Sequence, residues 1–303
     1  MTWFSQQLIN GLALGSIYAL IALGYTMVYG VLRFINFAHS DVLMLGAFAA
    51  WFVAPAVARI FPPESFAGAL AVMVLAAAIC AVIGMTIELL AYRPLRSRPR
   101  LTVLITAIGV SLFIEYTCQH EAVFGAQTKP FPRLLPQKDF SVAGLSVNSN
   151  DILIVVVTFL LLAVLWFIVQ RTKTGTAMRA VAFNDQAAAL MGININRIIS
   201  FTFGLGSALA GIAGVFYAMR APGIEPLMGV QPGLRAFIAA VVGGIGNLPG
   251  AALGGLLLGL LETYAGGIPG LSNYRDGIAF AILILILLFK PAGLLGRAQV
   301  EKV

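Results

Sequence analysis

The chain has 303 residues, 60% of them hydrophobic and only 10% charged, with mean hydropathy +0.94. Soluble domains carry roughly 25% charged residues, so a soluble globular fold, a disordered chain and a coiled coil are all excluded. The net charge of +7 is explained below by membrane topology and calls for no nucleic-acid partner.

A membrane-crossing helix needs about 20 apolar residues, and several runs qualify. The first, residues 8–32, holds no charge. Residues 1–7 lack a basic region, and 8–32 is too long for the apolar core of a cleavable signal, so a span is expected there. The second run follows Asp41 and covers 42–57; the third is 66–92 and the fourth 101–117. The fifth, 152–169, is apolar all round, and the sixth is 198–219. The last, 277–289, is short for a span. Between the sixth and the last lies 235–264, apolar but interrupted by Gly243-Gly244-Ile245-Gly246-Asn247-Leu248-Pro249-Gly250. Gly and Pro end helices, and the freed backbone must be satisfied by protein or water. Two half-helices are expected, at about 235–243 and 250–265. The predicted fold is all-α: a polytopic transmembrane bundle of about eight or nine helices, including the broken pair near 235–265, in a single transmembrane domain over 1–303. Cys80 and Cys118 sit in apolar runs and read as small buried hydrophobes, with neither metal-ligand spacing nor a disulfide framework.

Lysines and arginines set orientation. Residues 93–100 hold Arg93, Arg96, Arg98 and Arg100 with no acid, and 170–197 holds Arg171, Lys173, Arg179 and Arg197 against Asp185 alone. The C-terminus carries Lys290, Arg297 and Lys302. These three regions are expected in the cytoplasm. The loop 120–150 balances Lys129, Arg133 and Lys138 with Glu121 and Asp139 and is placed outside. Counting spans back from the arginine loop puts the N-terminus outside, in the periplasm, and the C-terminus inside. About twelve of the nineteen basic residues then fall on the cytoplasmic face.

The loop 171–197 carries the most information. Asn184 or Asp185 is a good N-cap, Ala187 to Met191 favours helix, and Gly192 is a natural stop. A helix of about two turns does not persist alone in water, so it must dock, either on its own membrane domain or in the groove of a soluble partner. Gln186-Ala187-Ala188 followed by Gly192 resembles the Glu-Ala-Ala-x-x-x-Gly loop of ABC importer permeases, with Gln in place of Glu and without the distal Ile-x-Leu-Pro part. Longer stretches resemble the LivH-type permease of the bacterial branched-chain amino acid importer. They include Gly11-Leu12-Ala13-Leu14-Gly15-Ser16, Gly24-Tyr25-Thr26-Met27-Val28-Tyr29-Gly30 and Ile35-Asn36-Phe37-Ala38-His39. Others are Leu190-Met191-Gly192-Ile193-Asn194, the segment 239–251 and the tail Lys290-Pro291-Ala292-Gly293-Leu294-Leu295-Gly296-Arg297, ending Val300-Glu301-Lys302-Val303. The matches run through nearly the whole chain in order. Ser40-Asp41 departs from the Gly-Glu of that pattern.

The resemblance implies a bacterial inner-membrane subunit that forms half of a translocation path. A second, related permease, two cytoplasmic ATP-binding subunits and a periplasmic substrate-binding protein would complete the importer. Arg179, Asp185, Gln186, Ala187, Ala188, Leu190, Met191 and Gly192 would form the ATPase-coupling loop. The substrate would be a branched-chain amino acid, with urea, short amides or aromatic acids as alternatives among close relatives. The chain has no Gly-x-x-x-x-Gly-Lys-[Ser/Thr] phosphate loop, so ATP would be bound by partner subunits. No cofactor, metal site or catalytic group is expected.

Two apolar runs are broken by polar or Gly-rich segments, one in each half, and paired breaks point to a substrate path in transporters. Asn36, His39, Gly244, Gly246, Asn247 and Pro249 are its candidate residues; His39 also reads as a satisfied interfacial histidine. Gly11, Gly15, Gly250, Gly254, Gly255 and Gly259 recur at four-residue spacing, which permits close helix approach. Glu88, one turn from Arg93, reads as its structural partner, while Glu115 and Glu262 lie near helix ends. Three scattered acids do not make a proton relay, which disfavours an ion-coupled secondary transporter. A channel lacks a filter or charged ring. An intramembrane enzyme lacks a working constellation, with only His39 and His120 present.

Overall fold

The computed structural model describes residues 2–296 apart from 33, 97, 143 and 271. Arg33, Arg297, Lys302 and the ending 300–303 therefore lie outside the described residues. Helix α1 is Thr2–Leu32, α2 His39–Val57, α3 Phe66–Ile87, α4 Arg100–Gln119 and α5 Ser149–Arg171. Two short helices, α6 (Lys173–Phe183) and α7 (Asp185–Leu190), precede α8 (Ile195–Arg220). Then come α9 (Val230–Gly243), α10 (Leu248–Gly267) and α11 (Arg275–Phe289). Eight of these segments are long and apolar enough to cross a membrane, and α9 is the shorter apolar one among the described residues. The chain is a multi-pass helical membrane protein.

The spans follow the apolar runs, with two differences. Helix α3 does not stop at Ile87 but widens into a π-turn over Glu88–Tyr92 and a 3₁₀ turn over Arg93–Leu95. Pro94 explains this: its ring clashes with the carbonyl four residues back and it donates no N–H, and a wider turn relieves both. The second difference concerns the broken pair. The break falls at 244–247 as expected, with Gly244 at φ 105° and Gly246 at φ 91°. Its second member, α10, has 20 residues and is a full span rather than half a helix. It continues past Glu262 because that carboxylate is paired inside the bundle with Arg235 at 2.8 Å and accepts from the Tyr18 hydroxyl at 2.8 Å. The first member, α9, begins at Val230 and holds 14 residues, about 21 Å of helix.

Helix α1 is the hub, buried without a break from Gly15 to Val28 and exposed at its start. It runs antiparallel to α10 along the predicted glycine seam. A Cβ on Gly11 would lie 2.9 Å from Leu260 Cα, and one on Gly15 would lie 2.8 Å from Leu256 Cα. The backbones meet there, which is how helices pack tightly when lipid offers no hydrophobic drive. Gly255 and Gly259 press on Ala19 and Gly15 from the other side. Gly250 and Gly254 serve a different seam, packing α10 on Gly243 and Ala239 of α9. An equally tight crossing joins α2 to α8, where a Cβ on Gly46 would lie 2.5 Å from Gly211 Cα. Cys80 and Cys118 are buried free thiols, as expected.

The bundle has two distinct ends. One gathers the start of α1, the end of α10 and short strands that the sequence reading did not foresee. Strands β2 (Asp139–Val142) and β3 (Leu145–Asn148) form a hairpin, while β1 (Lys129–Pro130) pairs with β4 (Gly223–Ile224). Gln6 at the start of α1 clasps the hairpin, donating to the Ser146 carbonyl at 2.8 Å and accepting from its N–H at 2.9 Å. The other end gathers Arg93 and Arg96, helices α6 and α7, the 244–247 break and the tail 290–296. We call it the basic end.

Candidate functional site

The basic end is assembled by caps. Thr172 accepts from the Gly175 N–H at 3.1 Å and starts α6; Asn184 accepts from the Ala187 N–H at 2.9 Å and starts α7. Each side chain satisfies one orphan donor at a helix N-terminus. Gly192, at φ 79°, closes α7 in the left-handed conformation that favours glycine. The Arg179 guanidinium donates to the Val169 carbonyl near the end of α5 and to Thr176 Oγ1 at 3.3 Å. It ties α6 to the membrane helix.

The predicted coupling segment presents two faces. Ala188 is 4% exposed and joins a buried cluster with Val28, Tyr92, Val181, Ile199 and Phe203. Phe183, Leu190 and Met191 point the other way and are 87%, 89% and 83% exposed. Asp185, Gln186 and Ala187 are exposed with them. The six-residue helix α7 thus docks on its own bundle through Ala188, and Leu190 at its end, Met191 just after it and Phe183 at the end of α6 are left outward. The inward face matches the expected docking on the chain's own bundle, and the outward face is left uncovered by the chain itself. Beside it lies a groove of about 400 Å³, lined by Leu32, Arg96, Asn184, Asp185 and Gln186.

A buried charge cluster ties this end to α3 and α8. Glu88 is fully buried and accepts from Arg93 at 3.2 and 2.7 Å, Arg96 at 2.7 Å and Ser200 at 2.7 Å. Arg96 also donates to Asn196 at 2.9 Å. The Glu88–Arg93 pairing was legible in the sequence; Arg96 and the α8 partners were not, because they depend on how α8 lies against the π-turn.

Of the proposed path residues, Asn36 and His39 lie inside the bundle. Asn36 accepts from the Tyr92 hydroxyl at 2.6 Å. His39 is buried, seated on Gly24, with its ring 4.7 Å from that of Tyr25. Neither of its ring nitrogens meets a hydrogen-bond partner among the described residues. Asp41 accepts from Ser111 on α4 at 2.6 Å. The residues of the second break sit elsewhere. The tail closes over the 244–247 turn: Leu294 and Leu295 donate to the Val242 and Gly243 carbonyls at 2.8 and 3.0 Å, and Asn247 donates to the Leu295 carbonyl at 2.7 Å. The tail thereby satisfies carbonyls left over at the end of α9. Gly246 faces Gly30, and together with Arg179 they line a small cavity of about 90 Å³. Pro249 occupies the first turn of α10, where its missing N–H costs no bond. The start of α9, not this turn, approaches the first break, with Gly229 and Gly233 packed on Ser40.

This architecture is that of a polytopic permease: a glycine-packed bundle with a capped docking segment at one end. The comparisons make the class specific. The profile of the family described as "Branched-chain amino acid transport system / permease component" matches residues 7–287. The high-affinity branched-chain amino acid transport system permease protein BraD of Pseudomonas aeruginosa is 44% identical, covering 99% of this chain and 98% of its own length. The permease protein LivH of Escherichia coli K12 is 40% identical over the same shares. The ribose import permease protein RbsC of Haemophilus influenzae is 35% identical, but over 41% of this chain and 40% of its own. No solved structure matches. The chain belongs to the family of branched-chain amino acid transport system permease components. Its relatives are transport permeases rather than enzymes and work as parts of transport systems.

Proposed function

We propose that this chain forms half of the translocation path of an ATP-driven, binding-protein-dependent importer for leucine, isoleucine and valine. A second, related permease supplies the other half, two cytoplasmic subunits bind and hydrolyse ATP, and a periplasmic protein delivers the amino acid. The basic end faces the cytoplasm of a bacterial inner membrane, with the N-terminus in the periplasm and the C-terminus inside. Residues 171–197 carry the coupling surface.

One observation supports this reading above the others: the outward apolar face that Phe183 at the end of α6, and Leu190 and Met191 at the end of the capped helix α7, form at the charge-rich end. Large apolar side chains left uncovered, on a segment whose other face is anchored, suit a partner site. ATP-driven closure of the partners moves that anchored helix, and the Ala188 cluster and the Glu88 hub carry the motion into α3 and α8. The bias needed is small, since each 1.4 kcal/mol is about tenfold in population.

The test is to reconstitute the complex in proteoliposomes and compare ATP hydrolysis with leucine uptake. Leu190→Asp with Met191→Asp is expected to abolish stimulation of hydrolysis by the loaded binding protein while membrane insertion is unchanged. Full stimulation and uptake in that double variant would refute the coupling assignment.

A further inference from the structure

At the end opposite the coupling segment, a polar cavity of about 480 Å³ opens between α1, α8, α9, α10 and α11. Its α1 wall runs from Gln7 through Asn10 and Leu14 to Tyr18, a descent of about 16 Å. It lies beside the N-terminal part of α9, a 14-residue apolar helix shorter than the spans around it. Its floor is fixed by ion pairs. Arg235 donates to Asp276 Oδ1 at 3.0 and 2.8 Å and to Tyr18 at 3.1 Å, and pairs with Glu262 at 2.8 Å. Arg220 in the wall is held by Asp151 at 2.8 Å and by the Asn10 carbonyl at 3.3 Å.

Those two guanidiniums are committed. The third, Arg275, is not: it makes no ion pair among the described residues and is exposed to the cavity mouth. It lies against Gly266, where a Cβ would come within 2.6 Å of its Cζ. Gly266 therefore lets the guanidinium rest flat on α10. Glu262 spends one oxygen on Arg235 and the other on Tyr18, and a carboxylate has about four lone-pair positions. Acceptor capacity remains at the floor, and a free planar donor fork remains at the mouth. Leu14, Tyr217 and Ala221 supply apolar and aromatic surface between them.

We propose that this cavity receives the free amino acid from outside, taking its carboxylate on Arg275 and its ammonium on Glu262. A guanidinium suits a carboxylate because it offers two parallel donors. The proposal rests on the importer reading, adding a site within this chain and the chemical class it accepts: a zwitterion with an apolar side chain.

The test keeps the two readings apart. Leucine uptake by the intact importer in ATP-loaded proteoliposomes is measured first, and its absence overturns the importer reading itself. With uptake present, Thr263→Cys and Asn10→Cys are labelled from outside by a charged, membrane-impermeant methanethiosulfonate, with cysteine-free partner subunits. Background is low because Cys80 and Cys118 are buried. Without binding protein, leucine raised into the millimolar range is expected to slow labelling at either position about tenfold once its concentration is ten times its dissociation constant. Leucinamide, which lacks the carboxylate, and 4-methylpentanoate, which lacks the ammonium, are expected not to protect, and Arg275→Gln is expected to remove protection by leucine. Labelling indifferent to leucine throughout, or equal protection by leucinamide, overturns the cavity assignment while the importer reading stands.

Discussion

Replacing Gly15 by alanine tests the packing principle of the whole bundle. The added Cβ would lie 2.8 Å from Leu256 Cα, 2.9 Å from the Leu256 carbonyl oxygen and 3.0 Å from that of Gly255. All three neighbours are backbone, so no rotamer change makes room. Restoring ordinary contact parts α1 from α10 by about 0.6 Å, and a gap of that size forfeits about a quarter to a half of each dispersion contact along the seam. Overpacking of this kind costs about 1–3 kcal/mol. Alanine also improves helix propensity, by up to about 1 kcal/mol, which would mask part of the loss. Gly109→Ala on α4 is the control, because a Cβ there meets nothing within 4 Å. Both variants gain the propensity, so the difference between them isolates the seam. Thermal or denaturant unfolding of the purified protein should place Gly15→Ala about 1–3 kcal/mol below Gly109→Ala. Equal stability of the two would refute the claim that α1 and α10 are held by backbone approach.

Two further outcomes follow from the basic end. Glu88→Gln leaves two guanidiniums facing a neutral amide inside the bundle, and should cost about 3 kcal/mol in denaturant unfolding; breaking a buried pair costs about 3–5, and the arginines retain some water here. A loss under 1 kcal/mol would show that the hub is solvated. Asn247→Ala removes both the cap on Gly250 and the bond to the Leu295 carbonyl, and should cost about 1–2 kcal/mol. Hydrogen exchange at Leu294 and Leu295 should rise in that variant, because their N–H groups lose the clasp that holds them on α9; unchanged exchange would refute the clasp.

The apolar runs were legible because a membrane span announces itself by length and hydropathy, and every one of them became a helix. The 244–247 break was legible too, because its Gly-Gly-Ile-Gly-Asn-Leu-Pro-Gly string cannot continue a helix. What lies on either side of the break was not. Glu262 looked like the end of a half-helix until Arg235 and Tyr18 turned out to face it. Helix α6 was hidden because Thr174, Gly175 and Thr176 have poor helix propensity; it depends on the Thr172 cap and on Arg179 reaching Val169. Strands of two to four residues, such as β1 and β4, are fixed by partners about ninety residues apart and leave no periodic trace. The glycine ladder was visible as spacing, but only the structure divides it into one seam with α1 and another with α9. The segment proposed for coupling stood out by its pattern, while its two faces, Ala188 inward and Leu190 with Met191 outward, needed the fold. Substitutions that test the coupling proposal therefore belong on the outward pair, since a change at Ala188 would also disturb the core.

On the importer reading, this chain moves branched-chain amino acids only as part of an ATP-driven complex. Leucine uptake should be measured in proteoliposomes holding the chain with its partner permease and ATPases, with loaded binding protein outside and ATP inside. Uptake is expected to require ATP and the binding protein and to be indifferent to imposed proton or sodium gradients. Uptake by this chain alone, driven by either gradient without ATP, would contradict that reading.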